Sequence, residues 1–300
     1  VLFRSIDVQY VETKSHLIFL RRSRQIIRNI KPNTVISFEY FYNMCAVLIC
    51  LGLNVKLLIS ERNDPARVGS GFIKSRIRNI LYSFADVLIC QTDDAKNYFP
   101  DYIRKKVFII LNPIMSGLPS KQEKVRDKVI VNFCRLNKQK NIPLLISAFE
   151  EFCNIHPDYE LHIYGDGAEK ETILDIIYSK HLERIIKVFP NTPNVHELVI
   201  NAAMFVSTSD FEGLSNSMLE ALSMGLPTIC TDCPCGGARM VIEDGVNGFL
   251  IPVNNQKSLV DKMLLIAGSS ELTIKLSNNA LKINNKLNVD NICKQWISLL

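Results

Sequence analysis

The sequence predicts an α/β protein with two doubly wound domains, each containing a parallel β-sheet, and three observations support this. Short apolar runs of strand length alternate with helix-length amphipathic segments along almost the whole chain. The apolar runs are continuous, as expected for strands that helices cover on both faces. The chain has 300 residues, which is at the upper limit for one hydrophobic core, and a polar, charged stretch interrupts the repeat at 117–128.

Four strands are predicted before this interruption and six after it. The first four are expected at 35–38, 55–60, 86–91 and 107–113. The other six are expected at 129–134, 161–167, 185–190, 204–209, 227–232 and 248–253. Helices are predicted between them, at 142–153, 168–179, 215–224 and 256–267. The longest apolar stretch, 44–53, is too short to cross a bilayer and predicts a buried helix.

We therefore expect a first domain over 1–120 and a second over 121–300, with a last helix at about 288–300 returning toward the first domain. Ligands of such a pair are expected in a cleft that faces the carboxyl ends of both sets of strands. The chain begins in mid-pattern without Met, so a first βα unit of about 30 residues is expected to be missing.

Composition and charge narrow the function. The chain is 47% hydrophobic and 22% charged, which is typical of a globular protein. The net charge of +5 is too small to indicate nucleic acid. Residues 1–124 hold 19 Lys and Arg against 10 Asp and Glu, a net of +9, whereas residues 125–300 hold 16 against 20, a net of −4. This asymmetry favours an anionic partner for the first domain, or else it is surface charge without a functional role.

Cysteine usage indicates a reducing compartment. Four of the nine Cys residues lie inside apolar runs, as buried reduced thiols of a cytoplasmic protein do, namely Cys45, Cys50, Cys90 and Cys134. No secretory signal is visible. A further cluster, Cys230, Cys233 and Cys235, lacks the second pair of ligands that a zinc site needs.

The densest chemical signal is a pair of glutamates eight residues apart, Glu212 and Glu220, around a predicted helix start. The sequence Ser-Asn-Ser at 215–217 supplies capping residues for that helix. A helix start beside Gly213 offers N–H groups and a positive dipole end to a diphosphate, and flanking carboxylates can bind sugar hydroxyls. The alternative is a solvated acidic helix start.

Two cations follow the strand at 129–134. Arg135 and Lys140 stand near its carboxyl end, and Asn141-Ile142-Pro143 opens the next helix. Together they make a diphosphate clamp in the same cleft, or alternatively an ordinary surface loop.

A third signal is Gly-Asp-Gly at 165–167 after another strand. It permits close approach of the Gly165 backbone to a ligand, although a tight βα turn explains it equally. Among the histidines, His162 is expected to be buried in a strand, and His181 and His196 are expected to be surface or capping residues.

The order and spacing of these motifs resemble a known family. The segment 129–253 is similar to the C-terminal, donor-binding domain of family-4 retaining glycosyltransferases, which have the GT-B fold of two Rossmann-like domains. Weaker similarity in the first domain rests on ISERNDP (59–65), DVLICQT (86–92) and LNPI (111–114). ISERNDP and the string at 231–253 resemble bacterial transferases that build capsular, exopolysaccharide or O-antigen repeat units.

The resemblance implies transfer of a hexosyl or N-acetylhexosaminyl unit, with retention, from a nucleotide sugar, expected to be UDP-linked. The acceptor implied is a growing glycan or a polyprenyl-diphosphate-linked sugar. Arg135 and Lys140 would bind the diphosphate, Glu212 the sugar and Glu220 the ribose, while Asn191 would lie near the nucleobase edge. The remaining implied donor contacts are the backbone at Gly165 and the helix start at Gly213, Leu214, Ser215 and Asn216.

The resemblance implies neither a metal ion nor a cofactor, because Arg and Lys supply the positive charge. The chain departs from many relatives in having no His between His16 and His156, which argues against a His-assisted mechanism. Glu61 and Arg62 stand at the corresponding place and either contact the acceptor or donor sugar or form a structural salt bridge.

Two basic segments of the first domain, 14–31 and 71–84, predict amphipathic helices. They either rest on an anionic membrane surface, on the cytoplasmic face of the plasma membrane, or simply cover one face of the sheet. Two other functions fit the same architecture: a nucleotide-sugar epimerase, and a truncated nucleotide-sugar binder without catalytic activity.

Overall fold

The computed structural model describes residues 7–120 and 125–300. They form two compact units. The first comprises the chain up to Cys90, Lys96–Ile109 and Leu299–Leu300, and the second comprises Gln91–Ala95 and Ile110–Ser298. The second unit therefore begins before the predicted boundary at residue 120. Ile114 donates its N–H to the Leu287 carbonyl at 2.8 Å, so the chain is bonded within the second unit before the polar stretch begins.

The first unit contains a parallel sheet whose strands follow one another in chain order, β1-β2-β3-β4. The strands are β1 (Thr34–Phe38), β2 (Lys56–Ser60), β3 (Val87–Cys90) and β4 (Val107–Ile109). β3 is buried along its whole length, as the continuous apolar run predicted. The helices along this part of the chain are α1 (His16–Ile30), α2 (Tyr40–Cys50), α3 (Phe72–Tyr82), α4 (Asp93–Tyr98) and α5 (Asp101–Arg104).

Helix α3 is amphipathic in an unexpected sense, because it buries a polar face. Arg78 and Tyr82 are completely buried, whereas Ile73, Ile77 and Ile80 are exposed. The Arg78 guanidinium donates to the Pro65 carbonyl at 2.7 Å. It also lies over the rings of two aromatic residues, Tyr98 and Phe99. The predicted helix is confirmed, but not every basic side chain of it lies in water.

The second unit contains a six-stranded parallel sheet in the order β10-β9-β8-β5-β6-β7. Its strands are β5 (Asp127–Phe133), β6 (Glu160–Tyr164), β7 (Ile186–Phe189), β8 (Ala202–Ser207), β9 (Thr228–Thr231) and β10 (Phe249–Ile251). Its helices are α6 (Ile142–Cys153), α7 (Lys170–Ser179), α8 (Val195–Val199), α9 (Asn216–Ser223), α10 (Gln256–Gly268), α11 (Ser270–Ala280), α12 (Ile283–Lys286) and α13 (Val289–Ile297).

The strand order reverses direction at β5. The chain proceeds from β5 through β6 to β7 on one side, and then returns to place β8 on the other side of β5. The adjoining loops therefore diverge at the carboxyl ends of β5 and β8, and an open α/β sheet binds its ligands at such a crevice. Apolar side chains of α6, including Phe149 and Phe152, pack beneath this point in the core.

Candidate functional site

The candidate site is centred on an ion pair between the loops that follow β5 and β8. Lys140 ends a 3₁₀ turn, Lys138–Lys140, and its ammonium group pairs with Oε1 of Glu212. Ser209 donates its hydroxyl to the same carboxylate oxygen at 2.9 Å. The side chains of Lys140 and Glu212 are only 12% and 16% exposed. The structure thus brings together two of the predicted residues, 72 positions apart in the chain.

Hydrogen bonds from neighbouring residues fix the relative positions of the two loops. Gln139 accepts from the Asp210 N–H at 2.8 Å and donates its side-chain amide to the Phe211 carbonyl at 2.7 Å. The Thr208 hydroxyl lies 3.0 Å from the carbonyl oxygen of Lys140. Sequence reasoning did not single out Gln139, which follows the predicted strand 129–134 by five residues, or Thr208, which lies within the predicted strand 204–209.

Arg135 is exposed on the loop after β5, two residues beyond the end of the strand. Burial raises the pKa of the neighbouring Cys134 thiol to about 12, and the positive charges of Lys140 and Arg135 act in the opposite sense. Cys134 itself is half-buried rather than fully buried, and its thiol donates to the Asn132 side chain at 3.0 Å.

The helix start predicted near Gly213 is present, but its hydrogen bonds differ from those expected. Helix α9 begins at Asn216 with Ser215 as its N-cap, yet the Ser215 hydroxyl pairs with the Ser217 hydroxyl at 3.0 Å and makes no capping bond. The Leu214 N–H donates to the Gln91 side chain at 3.1 Å. This N–H is therefore bonded within the protein in the structure described, and its role toward a donor stays a prediction.

A further constraint holds the Gly213 loop in place. A Cβ atom added to Gly237 would stand 1.6 Å from the Gly213 carbonyl oxygen, so only glycine fits at position 237. The Asn216 side chain accepts a hydrogen bond from Asn112 at 2.7 Å. Beneath Glu212 lies a small cavity whose wall includes Ser207, Thr231, Cys230 and Cys233.

Glu220 lies in α9, one turn after its start, and pairs with a histidine. Nε2 of His196, in α8, is 3.0 Å from Oε2 of Glu220, and the two side chains are 12% and 22% exposed. The edge of the His196 ring meets Phe133, with centroids 5.9 Å apart. The expectation that His196 is a surface or capping residue is therefore wrong. No local sequence signal links positions 196 and 220.

Gly165 allows the backbone after β6 to pack closely against the backbone after β5. A Cβ atom at Gly165 would stand 1.9 Å from the Cys134 carbonyl oxygen, and the Cys134 N–H donates to Tyr164 at 3.0 Å. The turn after β6 therefore packs directly on the loop that carries Arg135, which supports the tight-turn interpretation. Asn191 is exposed, and its N–H donates to the Asp166 carboxylate at 2.8 Å.

Glu61 and Arg62 belong to the first unit, unlike the site residues above. Glu61 is buried and accepts a hydrogen bond from the Tyr82 hydroxyl. Burial raises the pKa of Glu61, an effect that the Tyr82 hydrogen bond opposes. Arg62 lies over the Phe38 ring at 5.0 Å, and burial lowers its pKa to about 10. These contacts pair each residue with an aromatic side chain.

Two further properties concern the whole described part of the chain, 7–120 and 125–300. None of its helices combines the length and the hydrophobicity that a membrane span requires. Within the same ranges, no group of three or more His, Cys, Asp or Glu side chains could hold a metal ion. The three clustered cysteines, Cys230, Cys233 and Cys235, are buried and are not joined in disulfides.

Comparison with known families decides the classification. The family model described as "Glycosyl transferases group 1" matches residues 118–283. The chain belongs to this family. The match covers β5 to β10, and with them every predicted donor-site residue. The predicted resemblance to glycosyltransferases is confirmed.

Two relatives of this group 1 glycosyltransferase align with most of its length. An uncharacterized glycosyltransferase of Haemophilus influenzae is 21% identical over 292 residues, which are 97% of this chain and 82% of the relative. A second relative is 26% identical over 273 residues, 86% of this chain and 73% of its own. It is the Campylobacter jejuni N-acetylgalactosamine-N,N'-diacetylbacillosaminyl-diphospho-undecaprenol 4-alpha-N-acetylgalactosaminyltransferase.

The fold has solved counterparts. The structure of a point mutant of Staphylococcus aureus TarM, in complex with fondaparinux, alpha-GlcNAc-glycerol and UDP, superposes with a TM-score of 0.80 at 21% identity. The superposition covers 93% of this chain but only 58% of TarM, so the glycosyltransferase spans little more than half of that protein. The predicted GT-B fold is confirmed.

Proposed function

We propose that this group 1 glycosyltransferase moves a hexosyl or N-acetylhexosaminyl unit from a UDP-sugar to a lipid-linked bacterial glycan, with retention and without a metal ion. The observation that carries the proposal is the Lys140–Glu212 ion pair, held between the loops that follow β5 and β8. It places one cation and one carboxylate, both mostly buried, at the point where the strand order reverses. A sugar diphosphate offers the matching groups, an anion and a set of hydroxyls.

The two cations have a clear role in leaving-group departure. When the bond between the anomeric carbon and the diphosphate breaks, negative charge develops on the departing nucleotide. The Lys140 ammonium and the Arg135 guanidinium stabilise that charge, and such preorganised charges supply much of the rate acceleration in enzymes. The same two groups make a metal ion unnecessary for this step.

Glu212 and Ser209 act on the sugar side of the bond. The Glu212 carboxylate contacts the donor sugar and stabilises the positive charge that develops on the sugar ring in the transition state. Its position depends on the hydrogen bond from Ser209 and on the ion pair with Lys140. The acceptor hydroxyl attacks from the face that the nucleotide leaves, and its proton passes to a phosphate oxygen of the leaving group.

The remaining donor contacts belong to the nucleotide. Glu220 accepts from the ribose hydroxyls, and Asn191 lies at the nucleobase edge. Gly213, Ser215 and Asn216 contribute the helix start, where peptide dipoles favour an anion. UDP as the nucleotide draws support from the UDP-bound TarM structure, which shares the fold.

The acceptor proposed is a polyprenyl-diphosphate-linked sugar or a growing glycan, and Glu61 and Arg62 contact the acceptor or donor sugar. The name of the Campylobacter relative, which acts on a diphospho-undecaprenol substrate, supports this class. Nucleic acid is not a proposed partner, and no cofactor is proposed beyond the donor.

The first unit has a surface that suits an anionic membrane. Helix α1 carries four Arg side chains and no acidic one, and α3 exposes Ile73, Ile77 and Ile80 beside Lys74 and Arg76. Apolar side chains next to cations favour the headgroup region of anionic bilayers. We therefore place the enzyme at the cytoplasmic face of the plasma membrane, where a polyprenyl-linked acceptor is embedded.

The decisive experiment is a transfer assay with the full chain, a panel of UDP- and GDP-sugars, and short-chain polyprenyl-diphosphate sugars as acceptors. We expect one UDP-sugar to raise the melting temperature by mass action and to be transferred. The product should keep the anomeric configuration of the donor by NMR, and EDTA should not slow the reaction. An inverted product, an EDTA-sensitive rate or isomerisation without acceptor would each contradict the corresponding part of the proposal.

Membrane association has a separate test. Co-sedimentation with liposomes should rise with their content of anionic lipid and should fall when Arg21 and Arg28 are both changed to Glu. The control replaces two exposed cations of the second unit, Lys257 and Lys294, by Glu. Equal loss in both variants, or binding that ignores anionic lipid, would refute a membrane role for α1.

A further inference from the structure

The contact between His196 and Glu220 has no role in the function proposed above. Glu220 is the carboxylate proposed for the ribose, and one of its two oxygens, Oε2, is bonded to His196 Nε2 at 3.0 Å. Among the described residues, none donates a hydrogen bond to Oε1. A carboxylate only accepts, so Nε2 of the imidazole must carry the proton in this bond.

His196 is itself held from a third element. Its ring meets Phe133, the last residue of β5, edge to face at 84°. The histidine lies in α8, a short helix that follows the β7 loop carrying Asn191, and Glu220 lies in α9. The imidazole therefore connects the segment proposed for the nucleobase to the carboxylate proposed for the ribose, next to the end of the central strand.

We propose that His196 is a positioning residue for donor binding, an inference that rests on the proposed function. It bonds to Oε2 of Glu220 and so keeps Oε1 as the acceptor for a ribose hydroxyl. Without this bond the Glu220 side chain gains rotational freedom, and ordering it again on binding reduces the affinity gained from the hydroxyl. The effect falls on donor affinity and not on the chemical step.

Substitutions at His196 can separate the positioning of Glu220 from packing against Phe133. His196→Phe keeps an aromatic ring against Phe133 but removes the N–H donor. His196→Gln replaces the imidazole with an amide N–H donor on a side chain of similar length. The matched control is His162→Phe in β6, because His162 also bonds to a glutamate, Glu160, through Nε2 at 2.7 Å.

The test is a binding cycle by calorimetry with UDP, 2′-deoxy-UDP and 3′-deoxy-UDP, on the wild-type chain and each variant. In the wild type, removal of the bonded hydroxyl should weaken binding about tenfold, the size expected for a charge-assisted hydrogen bond. In His196→Phe this penalty should fall to about twofold, with a raised donor KM and an unchanged kcat. His196→Gln should restore the penalty, and His162→Phe should keep it.

The outcomes separate the inference from the function beneath it. If His196→Phe keeps the full tenfold penalty, His196 does not position Glu220, while the proposed donor site stands. If Glu220→Gln leaves UDP binding and both deoxy penalties unchanged, Glu220 is not the ribose carboxylate, and both proposals fail for this residue. Should His196→Phe not fold, the Gln variant and a His196→Asn variant, whose shorter amide cannot span the same distance, provide the same comparison.

Discussion

Replacement of Lys140 by Ala tests the centre of the proposed site. The Lys140 and Glu212 side chains are less than one-fifth exposed, so their ion pair lies between the fully solvated and the fully buried cases. When Lys140 is removed, the Glu212 carboxylate loses its cation and keeps the hydrogen bond from the Ser209 hydroxyl. We expect a loss of about 2 kcal/mol in the free energy of unfolding, since breaking a partly buried pair leaves a desolvated charge.

The effect on turnover should be larger than the effect on stability. Loss of one charge that stabilises a developing oxyanion typically reduces kcat by about 10²–10³. The measurement is kcat under saturating donor, made well below the melting temperature so that the unfolded fraction does not contribute. The same loss should be seen in Arg135→Ala, which is exposed and should change stability little.

The matched control for this prediction is Lys128→Ala. Lys128 also pairs with a carboxylate, that of Asp158, but it lies at the amino end of β5, and both side chains are about half exposed. An exposed ion pair contributes little, so kcat should stay at the wild-type value. Turnover within tenfold of wild type in Lys140→Ala, or an equal loss in Lys128→Ala, would refute the assignment of Lys140 to the leaving group.

Three further predictions concern stability and reactivity. Gly165→Ala should lower the free energy of unfolding by about 3 kcal/mol in urea titrations, because the new methyl group would overlap the Cys134 carbonyl; Gly268→Ala, with open space around it, should be neutral or slightly stabilising, and equal effects would contradict the packing argument. Burial raises the pKa of Glu61, so the unfolded state loses its proton first, and stability should fall as pH rises above about 4.3, the ordinary glutamate value; Glu61→Gln should flatten this dependence, and an unchanged slope would refute it. At pH 8 iodoacetamide should label the exposed Cys293 and spare Cys134, whose pKa is about 12. The labelled positions are identified by mass spectrometry, with Cys293→Ser as the control. Rapid labelling of Cys134 would contradict the burial that raises its pKa.

The fold was predictable because each strand leaves a continuous apolar run in the local sequence. Each of the ten predicted strands overlaps a strand of the structure, since a strand covered on both faces must be continuously apolar. Their ends were less predictable: the strand expected at 107–113 stops at Ile109. After that residue the chain forms hydrogen bonds in the second unit, and such pairing is not visible in a local pattern.

The candidate site was predictable in its residue types but not in its bonds. Arg135, Lys140 and Glu212 stand on the loops that follow strands β5 and β8, where the topology brings such residues together. Which of them pair depends on contacts between distant positions, such as Lys140 with Glu212 and His196 with Glu220. Hydrogen bonds of backbone groups to distant side chains were not predictable either. Nothing near Leu214 in the sequence indicates that its N–H is bonded to Gln91.

The inverted helix α3 separates two properties that usually change together. Its guanidinium at position 78 is an interior group, whereas its isoleucines face solvent. Under the proposed membrane association, substitutions that change the apolar character of Ile73, Ile77 and Ile80 should alter binding to lipid while changing the stability of the fold little. A redesign guided by hydropathy alone would do the reverse and replace Arg78, a charged side chain that is buried and hydrogen-bonded to the Pro65 carbonyl.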